Sequence, residues 1–148
     1  MGSDKPHPVS HVAYGYGACV ATIDEKNFVS KMDVAFDVGR VINPKACEGQ
    51  VEGGTLMGMG YGVTEDFKMD NGRVVTKYGT LGLLRAKQRP DITVHFVEKG
   101  TPDQMAFGAK GIGEIASIPM APAISNAYRH IDKEERRRLP LQHTGYKR

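Results

Sequence analysis

Two short segments hold the residues with the most chemical capacity. In Gly108-Ala109-Lys110-Gly111-Ile112-Gly113-Glu114, glycines and a lysine run directly into a carboxylate. Exposed backbone N–H groups in such a run can hold an anion, with Lys110 as a charge beside them. A carboxylate at its end can take a proton if it reaches the right atom. The order lacks the Gly-Lys-Ser/Thr ending of a P-loop and the Gly-x-Gly-x-x-Gly order of a dinucleotide fold. Pattern alone leaves two readings open, a ligand loop or a tight turn with Glu114 solvated. The second segment, Glu48-Gly49-Gln50-Val51-Glu52-Gly53-Gly54, sets an amide that can both donate and accept among two carboxylates and several glycines. Glu48 and Glu52, four residues apart, describe a solvated helix face equally well.

Local periodicity predicts the elements that must position these segments. Residues from Val12 to Ile23 read as a strand that turns at Asp24-Glu25-Lys26-Asn27. From Phe28 the chain alternates, with Met32, Val34, Phe36 and Val38 on one face and Lys31, Asp33 and Asp37 on the other, a half-buried strand paired in a hairpin. Asn43 is a good N-cap, Pro44 suits the first helical position and Glu48 favours the helix dipole, so a helix starts there. Cys47, Val51, Gly54 and Gly58 fall on one face of it, which invites close packing. A turn at Asp70-Asn71-Gly72, a strand around Ile92 to Val97, a loop from Gly100 to Gln104 and a last helix beginning near Ser117 to Pro119 complete the series, while Tyr78 to Arg89 stays ambiguous. Strands followed by interspersed helices, without regular alternation, give an α+β class.

With 148 residues, 40% hydrophobic and 25% charged, the chain has the composition of one ordinary soluble domain. Its 18 glycines and thinly spread apolar residues argue that it needs a partner segment to fold. The net charge of +3 is concentrated in a tail holding Arg136, Arg137, Arg138, Lys147 and Arg148, which reads as a solvated surface and not a nucleic-acid footprint. Cys19 and Cys47 are too far apart for a paired metal site or a disulfide framework and are expected free and buried. No run reaches bilayer-spanning length and MGSDKPHP lacks the apolar core of a signal peptide, so a cytoplasmic location is expected, with no membrane partner. His95, His130, His143 and the methionines read as packing or surface residues.

Taken in order, these segments resemble the C-terminal part of the molybdenum-cofactor subunit of the xanthine dehydrogenase and aldehyde oxidase family. The resemblance rests on Ile42-Asn43-Pro44-Lys45 followed by Glu48 to Gly54, on Gly58-Met59-Gly60-Tyr61 through Glu65, and on Gly108 to Glu114 with Pro119 to Tyr128 behind it. It covers the chain from about His7 onward, and Leu139-Pro140-Leu141 with Tyr146-Lys147-Arg148 is similar to the end of the purine-hydroxylase branch.

The resemblance implies that residues 1–148 form the C-terminal segment of a molybdopterin-binding domain, a β-hairpin plus glycine-rich helices, incomplete on its own. It implies a molybdenum hydroxylase that places water-derived oxygen on an electron-poor carbon of a purine, a related N-heterocycle or an aldehyde. Glu114 would be the general base. Gly49, Gln50, Val51, Glu52, Gly53 and Gly54, together with Ala109, Lys110, Gly111, Ile112 and Gly113, would contact the molybdopterin, alone or as its cytosine dinucleotide, and no side chain would ligate the metal. Iron–sulfur clusters and FAD would sit on partner subunits. The resemblance leaves open a non-catalytic cofactor-binding or assembly module and an inactive truncated fragment. The residues that choose the substrate would lie in the remainder of the subunit.

Overall fold

The computed structural model describes residues 14–99 and 105–146. The strand start at Val12, the loop from Gly100 to Gln104, and Lys147 and Arg148 lie outside the described residues.

Strand β1 (Gly17–Ile23) pairs antiparallel with β2 (Val29–Asp37), and the turn between them closes on the Asp24 side chain, which accepts from the N–H groups of Lys26 and Phe28. Helix α1 (Pro44–Val63) follows, then a small hairpin of β3 (Met69–Asp70) and β4 (Arg73–Val74) around the expected Asn71-Gly72 turn. The ambiguous stretch up to Arg89 is irregular apart from a 3-10 turn at Ala86–Gln88. Strand β5 (Asp91–Val97) then joins the other edge of β2 in parallel, giving the order β1-β2-β5. This pairing was absent from the hairpin expectation. Its register sets Met32 beside Ile92, Val34 beside Val94 and Phe36 beside Phe96, so two alternating ladders in the same phase share one apolar face.

Helices cover that face. Helix α2 (Met120–Asp132) sends Met120, Ile124 and Tyr128 into a core shared with Met32, Val34 and Phe36 of β2 and with Val51, Met59 and Val63 of α1. The α+β class holds. The expected small-residue face of α1 meets the chain just before α2: a Cβ at Gly54 would lie 2.6 Å from the Ala116 Cβ, and one at Gly58 would run into the Ser117 carbonyl oxygen. Alanine at position 58 gains about 1 kcal/mol of helix propensity, but overpacking against a fixed backbone carbonyl costs about 1–3 kcal/mol. Gly58→Ala is therefore expected to destabilise the fold, read as a lower thermal unfolding midpoint. A midpoint at or above the wild type would show slack between the two segments.

Beyond α2, Arg137 and Arg138 are exposed as expected of a solvated surface, but Arg136 and the segment around Leu141 are packed, which corrects that expectation for them. Leu141 is buried and its N–H donates to the Gly62 carbonyl at 2.8 Å. The Tyr128 hydroxyl donates to the Asn27 carbonyl at 2.6 Å, Gly145 N–H donates to the same oxygen at 2.8 Å, and the Tyr146 hydroxyl accepts from Val29 N–H at 3.1 Å. Arg136 is enclosed and not a surface charge. Its side chain is 2% exposed, donates to Asp132 and to the carbonyls of Gln142 and His143, and stacks over the Tyr128 ring. That guanidinium holds the Asp132 carboxyl down at about 2.

Candidate functional site

The two glycine-bearing segments come together at the end of β2. Asp37, read from alternation as a solvent-facing residue, is 7% exposed, because the segment from Gly108 to Lys110 folds over the strand end. Its carboxylate accepts from Gly39 N–H at 3.1 Å and from the Lys110 ammonium at 2.5 Å, and Lys110 also donates to the Tyr14 carbonyl at 2.8 Å. These bonds, the Lys110 contribution first, hold the Asp37 carboxyl below the ordinary carboxylate range against the opposing effect of burial. Backbone bonds complete the seam: Arg40 N–H donates to the Gly108 carbonyl at 2.8 Å, and Lys110 N–H donates to the Val38 carbonyl at 3.1 Å. Gly39 is required in the seam. It sits at φ +60°, and a Cβ there would collide with the Gly108 carbonyl.

The other end of the loop is tied to α1. Asn43 caps that helix as expected, its side chain accepting from Ala46 N–H at 3.1 Å. Two turns in, the Gln50 amide nitrogen donates to the Gly113 carbonyl at 3.0 Å. The loop is thus stretched between a strand end and a helix, over a cavity of about 440 Å³. One wall carries Val38, Arg40, Val41 and Ile42, a second carries Asn43, Ala46, Cys47 and Gln50, and the loop supplies Ala109, Lys110, Ile112 and Gly113. Burial pushes the Cys47 thiol up. Cys19 is half-buried and its thiol is pushed up to about 11. Both cysteines are free as expected, and both are half-buried where burial was expected.

Gln50, Ala109, Lys110, Ile112 and Gly113 meet at this cavity as a group. Gly49 and Gly53 lie on the exposed side of α1, with open space where a side chain would be, and Gly111 and Gly113 are equally open. Val51, Glu52 and Gly54 do not line the cavity. One residue beyond Gln50 the helix has turned by about 100°, so Val51 is fully buried in the core, Gly54 packs on Ala116, and Glu52 pairs with Arg89 at 3.0 Å. Both the Lys110 ammonium, on Asp37, and its backbone N–H, on the Val38 carbonyl, are engaged within the fold. Glu114 is exposed and precedes the 3-10 turn Ile115–Ser117, where its carbonyl accepts from the Ser117 N–H and hydroxyl. Its carboxylate makes no hydrogen bond among the described residues and does not line the cavity. The described residues leave it open to solvent.

These features fit a ligand that carries an anionic group. Among the described residues the N–H groups of Gly111, Ile112 and Gly113 donate to no protein acceptor, and the glycines let a ring approach backbone directly. Sequence reasoning missed Asp37, Gly39 and Arg40. The signal was a charged, glycine-containing turn at the end of an apolar strand, Asp37-Val38-Gly39-Arg40. Among the described residues no group of three or more His, Cys, Asp or Glu side chains could hold a metal ion, and no helix is long and apolar enough to cross a membrane.

A family model described as a molybdopterin cofactor-binding domain matches residues 2–90. The xanthine dehydrogenase molybdenum-binding subunit of Escherichia coli O157:H7 is 36% identical over 108 residues, which is 71% of this chain and 14% of that protein. The isoquinoline 1-oxidoreductase subunit beta of Brevundimonas diminuta is 31% identical over 134 residues, 84% of this chain and 16% of that protein. The solved aldehyde oxidoreductase from Desulfovibrio gigas aligns with a TM-score of 0.67 at 32% identity, over 76% of this chain and 12% of that one. The chain spans no more than 16% of the length of any of these three.

Proposed function

The chain belongs to the molybdopterin cofactor-binding domain family of the xanthine dehydrogenase and aldehyde oxidoreductase proteins, and we propose that it is one segment of a molybdenum hydroxylase. In this reading residues 1–148 are the C-terminal segment of the cofactor domain. They act with the remainder of the cofactor subunit and with partners carrying iron–sulfur clusters and flavin. The single observation that supports it most is the bond from Gln50 to the Gly113 carbonyl, which brings segments 63 residues apart to one cavity.

The molybdenum cofactor, when bound, supplies a two-electron oxidation in which the oxygen comes from water. The chain's own residues hold the cofactor and move a proton. Backbone N–H groups of Gly111, Ile112 and Gly113 donate to the acceptors of the pterin and its phosphate, Ala109 and Lys110 line the cavity beside them with their own N–H groups bonded within the fold, and Gln50 offers its free amide oxygen while its nitrogen keeps the loop in place. Gly49 and Gly53 leave the helix surface open to the ring, and Val51, Glu52 and Gly54 fix the helix that carries Gln50. A Glu114 carboxylate oxygen receives the proton released as the water-derived oxygen attacks an electron-poor carbon of a purine, related N-heterocycle or aldehyde. The remainder of the subunit covers Glu114 and excludes solvent.

The test is elemental analysis of the tagged chain purified from its native cells with its partners. Molybdenum in a fixed ratio to the chain is expected; a partnered complex without molybdenum would favour a non-catalytic module. In the same preparation Gln50→Ala loses about 1 kcal/mol of hydrogen bonding. Molybdenum retained after dilution should fall roughly fivefold, with little change in turnover per bound molybdenum. Full retention would remove Gln50 from the cofactor contacts.

A further inference from the structure

The geometry points to Arg40 as the cation that receives the cofactor's phosphate at this cavity, an inference that rests on the proposed function. Lys110 is the cation that the glycine-rich loop offers at first sight, yet its ammonium is bound to Asp37 at 2.5 Å and to the Tyr14 carbonyl at 2.8 Å. Arg40 lines the same cavity and is exposed, and its guanidinium has neither a hydrogen bond nor an ion pair among the described residues. Its backbone is fixed from both sides, by its own N–H on the Gly108 carbonyl at 2.8 Å and by Val41 N–H on the Glu98 carboxylate at 3.0 Å. That Glu98 carboxylate is the nearby negative group, but it is engaged by backbone and is not part of the lining. The cavity also opens on the first turn of the 20-residue α1, which carries no acidic residue, so the positive end of the helix dipole adds to the guanidinium field. A planar fork of donors suits two oxygens of one phosphate or of a diphosphate.

Free phosphate and a phosphate ester of the cofactor share this chemistry, and two measurements separate them. The complex of the chain with its partners, freed of cofactor, is titrated with inorganic pyrophosphate by calorimetry, comparing wild type, Arg40→Ala, Arg40→Lys and the remote Lys87→Ala. Molybdenum is measured in the assembled complex carrying Arg40→Ala. Arg40→Ala is expected to weaken pyrophosphate binding about tenfold or more, with Arg40→Lys intermediate and Lys87→Ala like wild type, and to lower molybdenum content. Wild-type affinity in Arg40→Ala, or no pyrophosphate binding by the wild type, overturns the assignment. Weakened pyrophosphate binding with unchanged molybdenum content overturns it too, since the site would then serve free phosphate. A wild-type complex lacking molybdenum sinks the proposed function and the cofactor as ligand with it, while the pyrophosphate titration still decides whether Arg40 holds an anion.

Discussion

Glu114→Gln in the assembled enzyme is expected to lower turnover by about 10²–10⁴-fold while molybdenum content stays unchanged. The magnitude is that of a lost general base, and the structure makes the substitution a clean one. The carboxylate is exposed, and what orders the residue is its backbone carbonyl, bonded to the Ser117 N–H at 3.0 Å and the Ser117 hydroxyl at 2.9 Å. Glutamine keeps the shape and that backbone bond, and no side-chain hydrogen bond among the described residues is lost. A fall in rate would therefore report chemistry. Turnover like wild type would end the assignment of Glu114 as the base, and a parallel loss of molybdenum would move the residue into cofactor retention.

Lys110→Met is expected to be the most destabilising substitution at the site, by on the order of 3 kcal/mol at neutral pH. The methylene stem survives but the ammonium does not, so Asp37, enclosed at the end of β2, is left charged with one N–H as its remaining donor. The pH dependence has a definite sign. The carboxyl of Asp37 is depressed in the fold, so the pair stabilises above the ordinary aspartate range and loses that contribution as pH falls through the depressed value. In the variant the isolated carboxyl is easier to protonate, and the gap to wild type should shrink on acidification. Urea unfolding at neutral pH and near pH 4 checks both statements. Equal midpoints at neutral pH would show that the ion pair contributes nothing net.

What could be read in the sequence is what is local. The start of α1 is written in Asn43 and Pro44, because a cap and a fixed φ act within one turn. The hairpin of β1 and β2 follows from alternation plus a polar turn. The third strand of the sheet was seen as a strand but not as the neighbour of β2, because the partners Met32 and Ile92 are joined only across the whole of α1 and the irregular stretch behind it. Asp37 was misjudged for a related reason. Alternation gives the side of a strand, while its enclosure is set by a loop residue 73 positions further on. Arg136 was read by the charge of its neighbours, and its burial depends on Asp132, Tyr128 and two late carbonyls that no charge count includes. At the candidate site the glycine-rich segments and Gln50 stood out by composition; the commitment of Lys110 to Asp37 and the placing of Arg40 did not.

The turn between β1 and β2 is one of the earliest parts of the described fold to be synthesised, yet the oxygen of Asn27 is bonded by residues 128 and 145, and the amide of Val29 by residue 146. On the ribosome the hairpin can form while these partners are still in the exit tunnel, but it cannot be locked. Closure of the turn, and with it the final seating of β2 whose far end carries the Asp37 seam, therefore waits until residues 128 to 146 have emerged. A stop codon after α2 would leave every residue of the candidate site encoded and the strand beneath it without the bonds from residues 145 and 146.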